Sequence, residues 1–106
     1  MAKAKPDETQ EYGVTPEELR SFLVMVGKNV KSWRETFSMT QEQLARSVGV
    51  SVYTVHKWEQ GYAVPRPESL ISLGKVFDLQ PSELLSIDME EATEAVKKQA
   101  KTRKAK

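Results

Sequence analysis

The chain has 106 residues, no cysteine and one histidine, and its formal net charge is +1. A chain of this length forms one small domain with tails, and the lack of cysteine excludes disulfides and thiolate metal sites. His56 alone cannot make a histidine-rich metal site, so we expect no metal and no cofactor. No apolar run approaches the roughly 20 residues that span a bilayer, and residues 1–10 are polar, so we expect a cytoplasmic protein without membrane contact.

The N-terminal region changes character at Thr15. Residues 1–14 have little apolar content, which is typical of a disordered arm. Thr15-Pro16-Glu17-Glu18 combines a capping hydroxyl, a proline in the first turn and carboxylates near the positive helix end, and so predicts a helix start. Apolar residues then recur every three or four positions: Leu19, Phe22, Leu23, Val26, Val30, Trp33 and Phe37. This stripe predicts either one helix of about 22 residues or two stacked pieces.

The segment 41–60 has the pattern of two short helices joined by a tight turn. Thr40 and Gln43 are spaced as a capping box at the start of the first helix. Gly49 follows the last apolar residue of that helix, where a left-handed backbone ends it, and Ser51 is a good N-cap for the second helix. The spacing predicts a helix-turn-helix; an αα-hairpin in an all-helical scaffold is the alternative.

The second helix, residues 51–60, separates into an inner and an outer face. Val55 and Trp58 lie three residues apart and pack back against the first helix, whose small Ala45 leaves room for the crossing. The positions that then point outward are Val52, Tyr53, His56, Lys57 and Gln60.

Two more helices complete the predicted domain, which we place at residues 15–87. Gly61 ends the second helix of the pair, and Pro67 starts a helix whose core face is apolar. Pro81 starts a short last helix. The apolar residues of these two helices are Leu70, Leu73, Val76, Phe77, Leu84 and Leu85.

Residues 88–106 predict a further helix followed by a basic tail. Asp88 and Glu91 are spaced to cap a helix that runs to about residue 100. Its weakly apolar face consists of Met89, Ala92, Val96 and Gln99. Residues 101–106 have four Lys/Arg and either contact phosphate without sequence preference or fray in solvent.

Charge is unevenly distributed along the chain. Residues 28–66 carry six Lys/Arg and three Asp/Glu, a net +3, whereas residues 67–96 carry one and seven, a net −6. Such polarity orients a protein toward phosphate, although ordinary scatter of surface charge also produces a segment of +3.

The run from Val30 through Leu85 resembles the lambda-repressor-like helix-turn-helix family of the Xre/Cro type. The matching residues are Arg34, the TQEQLA run at 40–45, Gly49-Val50-Ser51, Trp58-Glu59-x-Gly61, Pro65, and Leu79-x-Pro81-Ser82-Glu83-Leu84-Leu85. The resemblance implies an all-α, five-helix DNA-binding domain, here with an N-terminal helical extension and a C-terminal helix with a basic tail.

The same resemblance implies three groups of site residues. The base-reading positions, in the major groove, are Val52, Tyr53, His56 and Lys57. The positions that contact phosphate or the minor groove are Gln41, Ser51, Tyr62 and Arg66. Arg34 and Glu59 form a partly buried salt bridge that ties the first helix to the recognition helix. We expect no catalytic residue and no metal ligand.

These features predict a sequence-specific regulator of transcription that binds double-stranded DNA, associates with the nucleoid and acts as a dimeric repressor. A dimer is expected because one recognition helix covers only a few base pairs. The alternative is an antitoxin or accessory DNA-binding subunit whose main partner is another protein, engaged through the Leu19–Val26 stripe or the helix at 88–100. That stripe either covers its own domain or packs against a second copy.

Two other classes of function have less support from the sequence. A helix-turn-helix reused only for protein contacts would not show binding to duplex DNA that weakens with salt. An enzyme is disfavoured because the chain has one histidine, no cysteine and no Gly-rich phosphate loop.

Overall fold

The computed structural model describes residues 12–86, and this part of the chain has five α-helices and no strand. The helices are α1 (Pro16–Thr36), α2 (Gln41–Val48), α3 (Val52–Glu59), α4 (Pro67–Phe77) and α5 (Pro81–Leu84). The predicted all-α, five-helix architecture is confirmed. Residues 1–11 of the predicted arm, and the C-terminal helix and basic tail predicted at 88–106, lie outside the described residues. None of the described helices is long and apolar enough to cross a membrane.

One continuous helix, α1, forms where the apolar stripe allowed either one helix or two pieces. The predicted capping box is present at its start: Thr15 Oγ1 accepts a hydrogen bond from the backbone N–H of Glu18 at 3.0 Å, and the Glu18 carboxylate accepts from the Thr15 N–H at 2.9 Å. The helix continues through Gly27 to Thr36. Local cap chemistry therefore sets its start as the sequence predicted.

The buried face of α1 coincides with its apolar stripe at Val26 and Val30 and departs from it nearer the N-terminus. The buried residues are Ser21, Val24, Val26, Gly27 and Val30. Leu19, which belongs to the stripe, is 52% exposed. In the N-terminal half of α1 the side that carries Val24 packs against Gly61, and helical periodicity places Leu19 about 140° from Val24, away from this contact.

Two glycines let the backbones of α1 and α3 approach closely. A Cβ on Gly27 would lie 2.3 Å from the carbonyl oxygen of Trp58 and 3.0 Å from that of Glu59. Gly61, just after α3, has φ +77°, and a Cβ there would lie 3.1 Å from the Cα of Val24. A side chain at Gly27 would force α3 away from α1, whereas one at Gly61 would be strained by the positive φ and would press on Val24. Both glycines therefore allow the C-terminal end of α3 to lie this close to α1.

The turn between α2 and α3 has the predicted caps. Thr40 Oγ1 accepts from the N–H of Gln43 at 3.0 Å, and the Gln43 side chain accepts from the Thr40 N–H at 2.8 Å. Gly49 ends α2 with φ +86°. Ser51 Oγ caps α3 by accepting from the N–H of Thr54 at 3.1 Å. The helix-turn-helix predicted at 41–60 is therefore present.

A single hydrophobic core joins the five helices. Its buried members are Val30, Leu44, Ala45, Val55, Trp58, Leu73, Phe77 and Leu84. Trp33 stacks on Phe77 with ring centroids 6.5 Å apart. Burying a large apolar side chain contributes roughly 1.5–3 kcal/mol, and every helix supplies at least one such residue. The domain therefore supports α3 from one side and leaves its other side at the surface.

Candidate functional site

The outer face of α3 carries the four predicted base-reading residues. Val52 is 42% exposed and Tyr53 is 65% exposed. His56 is exposed and Lys57 is partly buried. The opposite face is packed into the core through Val55 and Trp58. The structure thus brings these four side chains together on the open side of one short helix.

This outer face carries no negative charge. The single acidic residue of α3 is Glu59, and it is buried. Lys57 supplies a positive charge beside Tyr53, with its Nζ 5.1 Å from the centroid of the tyrosine ring. A cation–π contact at an exposed site contributes about 0.5–1 kcal/mol, which is enough to favour one arrangement of the two side chains.

The N-termini of α2 and α3 are further candidates for contact with an anion. The first N–H groups of a helix have no partner within it, and the helix dipole places partial positive charge there, which favours anions. Ser51 Oγ already accepts from Thr54 N–H, and it lies 2.9 Å from Thr54 Oγ1. The contribution of Ser51 to an anion site therefore comes mainly from the backbone start of α3 that it stabilises.

Gln41 directs its side chain into the protein. Its Nε2 donates to Glu59 Oε1 at 2.9 Å. One of the two Nε2 hydrogens of this predicted phosphate-contacting residue is therefore engaged with a buried carboxylate.

Arg34 and Glu59 form a two-point ion pair between α1 and the end of α3. Arg34 Nε lies 2.6 Å from Glu59 Oε2, and Nη2 donates to Oε1 at 3.1 Å. The third guanidinium nitrogen, Nη1, donates a hydrogen bond to the carbonyl oxygen of Met39 at 2.7 Å. The Glu59 side chain is 1% exposed and that of Arg34 12% exposed. The hydrogen bond to Glu59 raises the pKa of Arg34 further, so the guanidinium stays charged.

Tyr62 and Arg66 lie in the loop that follows α3, and both are exposed. At the start of this loop, the backbone N–H of Tyr62 donates a hydrogen bond to the carbonyl oxygen of Lys57 at 2.9 Å. Arg66 is the residue before α4 and makes no side-chain cap for that helix. The structure therefore places Tyr62 directly after the C-terminal end of α3 and leaves Arg66 exposed at the start of α4.

Besides Arg34 and Glu59, two residues that hold α3 against α1 were not predicted from the sequence. Gly27 is one, and Arg20 is another, because its Nη1 donates to the carbonyl oxygen of Gly61 at 3.3 Å. A glycine inside a helix costs about 1 kcal/mol relative to alanine, so Gly27 was a usable signal of close packing. No comparable signal marked Arg20 or the inward direction of Gln41.

Comparison with known proteins gives a family match and several relatives. A protein-family model described as "Helix-turn-helix" matches residues 30–84, which begin in the second half of α1 and end with α5. Repressor protein C2 of Salmonella phage P22 is 28% identical over 71 residues, 67% of this chain and 33% of that protein. The HTH-type transcriptional activator BcrR of Enterococcus faecalis is 45% identical over 49 residues, 46% of this chain and 24% of that protein. The matched part of the chain thus spans a third or less of the length of these two relatives.

Solved structures show the same arrangement of helices. The DNA-binding domain of the P22 C2 repressor superposes with a TM-score of 0.57 at 28% identity, covering 63% of this chain and 88% of that one. The restriction-modification controller protein C.AhdI from Aeromonas hydrophila gives a TM-score of 0.56 at 27% identity, covering 58% of this chain and 94% of that one.

Proposed function

Because this chain belongs to the helix-turn-helix family of DNA-binding transcription regulators, of the Cro/C1 type, we propose that it is a dimeric, sequence-specific repressor that inserts α3 into the major groove of duplex DNA. The observation that carries this proposal is that α3 is buried on one side and exposed on the other. Val55 and Trp58 anchor it in the core, while Val52, Tyr53 and His56 stand exposed on the other side. A major groove about 12 Å wide admits one helix presented in this way.

The side chains of this face have the chemistry to distinguish base pairs. Lys57 donates to guanine O6 and N7, and Val52 packs against the methyl group of thymine. His56 donates or accepts according to its tautomer. Tyr53 reaches either a base edge or a phosphate, and its ring supports the Lys57 ammonium at 5.1 Å. Base recognition by this face therefore combines apolar contacts with one positively charged side chain.

Phosphate contacts on either side of α3 fix its register in the groove. We assign them to the helix starts at Gln41 and Ser51, and to Tyr62 and Arg66 in the following loop. Anion binding at helix N-termini and charge from an exposed arginine are both independent of base sequence.

Two copies of the chain give the proposed repressor its discrimination. One recognition helix reads only a few base pairs, and two helices about 34 Å apart read two half-sites one helical turn apart. Repression is the proposed direction because Repressor protein C2 aligns with 67% of this chain, against 46% for the activator BcrR. The relatives favour a regulator over the alternative of an antitoxin or accessory subunit.

Selection of bound fragments from random duplex DNA, together with the stoichiometry of the complex, tests the whole proposal. We expect a two-fold symmetric site occupied by two chains, and affinity that falls as salt rises. A single half-site bound by one chain would contradict the dimer. Binding that is indifferent to salt would contradict recognition of the DNA backbone.

Lys57→Ala is expected to relax base preference at particular positions of the selected site. Loss of one contact to a base edge costs about 1–3 kcal/mol of discrimination there. The measurement is repeated selection with the variant, and His56→Ala is the companion change at a neighbouring position. A variant that keeps the full preference at every position would show that Lys57 does not read bases.

Arg66→Ala is expected to weaken binding to all sequences alike, because a phosphate contact carries no base information. The slope of log affinity against log salt should become shallower by about 1. Titration of the selected site and of an unrelated duplex at several salt concentrations measures both effects. Loss confined to the selected site would instead place Arg66 at a base edge.

A further inference from the structure

The N-terminal half of α1 borders an apolar groove that no other residue between 12 and 86 covers. The groove has a volume of about 390 Å³, and its lining residues are Tyr12, Gly13, Val14, Glu18, Leu19 and Phe22; we call it the N-terminal groove. Tyr12, Val14 and Leu19 are more than half exposed. It lies outside residues 30–84, the part that matches the family. Exposed apolar clusters rimmed by charge mark interaction sites.

The chain leaves the described part of the structure beside the same helix. Asn29 Nδ2 donates to the carbonyl oxygen of Leu84 at 2.8 Å and lies 3.5 Å from that of Ser86. These bonds hold the last described residue, Ser86, against α1. Asn29 and Phe22 are seven residues apart, so they lie on one face of α1, two turns or about 10 Å apart. The chain beyond Ser86 therefore starts beside the face of α1 that carries both Asn29 and Phe22, and Phe22 lines the N-terminal groove.

The following segment, 88–100, has the length and pattern to reach the groove. Met89, Ala92 and Val96 have the spacing of a single helical face. A helix of this length extends about 20 Å, which equals the distance from Asn29 back to Pro16 along α1. In antiparallel alignment from Asn29, Ala92 falls opposite Phe22 and Val96 opposite Glu18, beside Leu19.

The charges of the two segments are complementary in the antiparallel direction. In α1, Glu17 and Glu18 occupy the first turn, and the exposed Lys28 lies near the middle of the helix. The segment 88–100 has the same order along its own direction, with four acidic residues up to Glu94 and then Lys97 and Lys98. Antiparallel packing therefore sets lysines against the carboxylates of the first turn of α1, with the helix dipoles opposed.

We propose that residues 88–100 dock as an amphipathic helix along the N-terminal half of α1 of the same chain, covering the N-terminal groove. Docking delivers the basic residues 101–106 to the start of α1. That end of α1 is tied to the end of α3 by the bond from Arg20 to Gly61. The tail then lies on the same side of the domain as Tyr62, where it adds phosphate contacts independent of base sequence.

A spin label tests the docking in the full chain. The chain has no cysteine, so Thr102→Cys gives one attachment site just beyond the segment. In NMR spectra, we expect the backbone amide signals of Glu17 to Arg20 to lose most of their intensity when the spin label is in its oxidised, paramagnetic form. The signals of α4 around Lys75 should keep their intensity. This loss of intensity must persist when the chain that carries both the isotope label and the spin label is diluted with chain that carries neither. Unchanged signals at Glu17 to Arg20 would overturn the proposal.

Two further measurements separate the alternatives. If isotope-labelled chain without the spin label loses the same signals when it is mixed with spin-labelled chain, a second copy occupies the groove and docking within one chain is refuted. Leu19→Ser should restore much of the signal, whereas Ile71→Ser, a matched change on α4 that is also 52% exposed, should not. Equal signal loss in both variants would refute the groove as the docking surface.

Discussion

Replacing Glu59 by alanine is expected to lower the free energy of unfolding by about 3–5 kcal/mol, the range for removing one partner of a buried ion pair. The variant leaves the Arg34 guanidinium, 12% exposed, with the Met39 carbonyl as its remaining partner in this site. Gln41 loses its acceptor at the same time. A buried charge without its counterpart cannot be solvated by water at this depth, which is why the loss is large.

Denaturant titration and thermal melting measure this effect. A loss of 3 kcal/mol corresponds to a fall in Tm of more than about 10 °C for a domain of this size. Glu42→Ala, in the exposed first turn of α2, is the matched control and should change stability by less than about 1 kcal/mol. An equally small loss for Glu59→Ala would show that the pair is superficial. Arg34→Met combined with Glu59→Leu should recover part of the loss, because no charge is left unpaired.

Gly27→Ala is expected to destabilise the domain, although alanine favours a helix interior by about 1 kcal/mol over glycine. The added Cβ would lie 2.3 Å from the carbonyl oxygen of Trp58. This oxygen belongs to the backbone of α3, so α1 and α3 must separate to accommodate the methyl group. Overpacking of this kind costs about 1–3 kcal/mol, which outweighs the gain in helix propensity.

The Gly27 variant should also bind DNA less tightly, because moving α3 changes the angle at which its outer face meets the groove. The urea midpoint and the affinity for the selected site are the two measurements. Lys28→Ala tests alanine at the exposed neighbouring position and should change the unfolding free energy by less than about 0.5 kcal/mol. A Gly27→Ala protein more stable than the parent would contradict the close crossing of α1 and α3.

Both predictions concern the C-terminal end of α3. The ion pair to Arg34 and the close approach of Gly27 hold this end from α1, while Val52 and Tyr53 at the other end are exposed. In the proposed repressor, a helix secured at one end would present its first turns to DNA at a defined angle. Arg34 and Gly27, which lie on α1, would then influence how the outer face of α3 reads bases.

The starts of the helices, and the end of α2 at Gly49, were predictable from the sequence. Thr15 with Glu18, and Thr40 with Gln43, make the predicted capping boxes, and Gly49 takes the left-handed backbone that ends α2. These signals are reliable because a cap forms between residues at most three or four positions apart, whose spacing the chain itself fixes. The inner face of α3 was predictable for a related reason, since Val55 and Trp58 are brought together by helical periodicity.

The sequence by itself thus determined that residues 12–86 are helical, where the helices begin, and which face of α3 points outward. Only the tertiary structure decided which side of α1 is buried and where Gln41 directs its amide. Gly27 meets the carbonyl of Trp58, and Gln41 meets the carboxylate of Glu59, across 31 and 18 positions of chain. Contacts at such separations depend on how whole helices cross, and the crossing is set by the best packing of the common core, which no local pattern encodes.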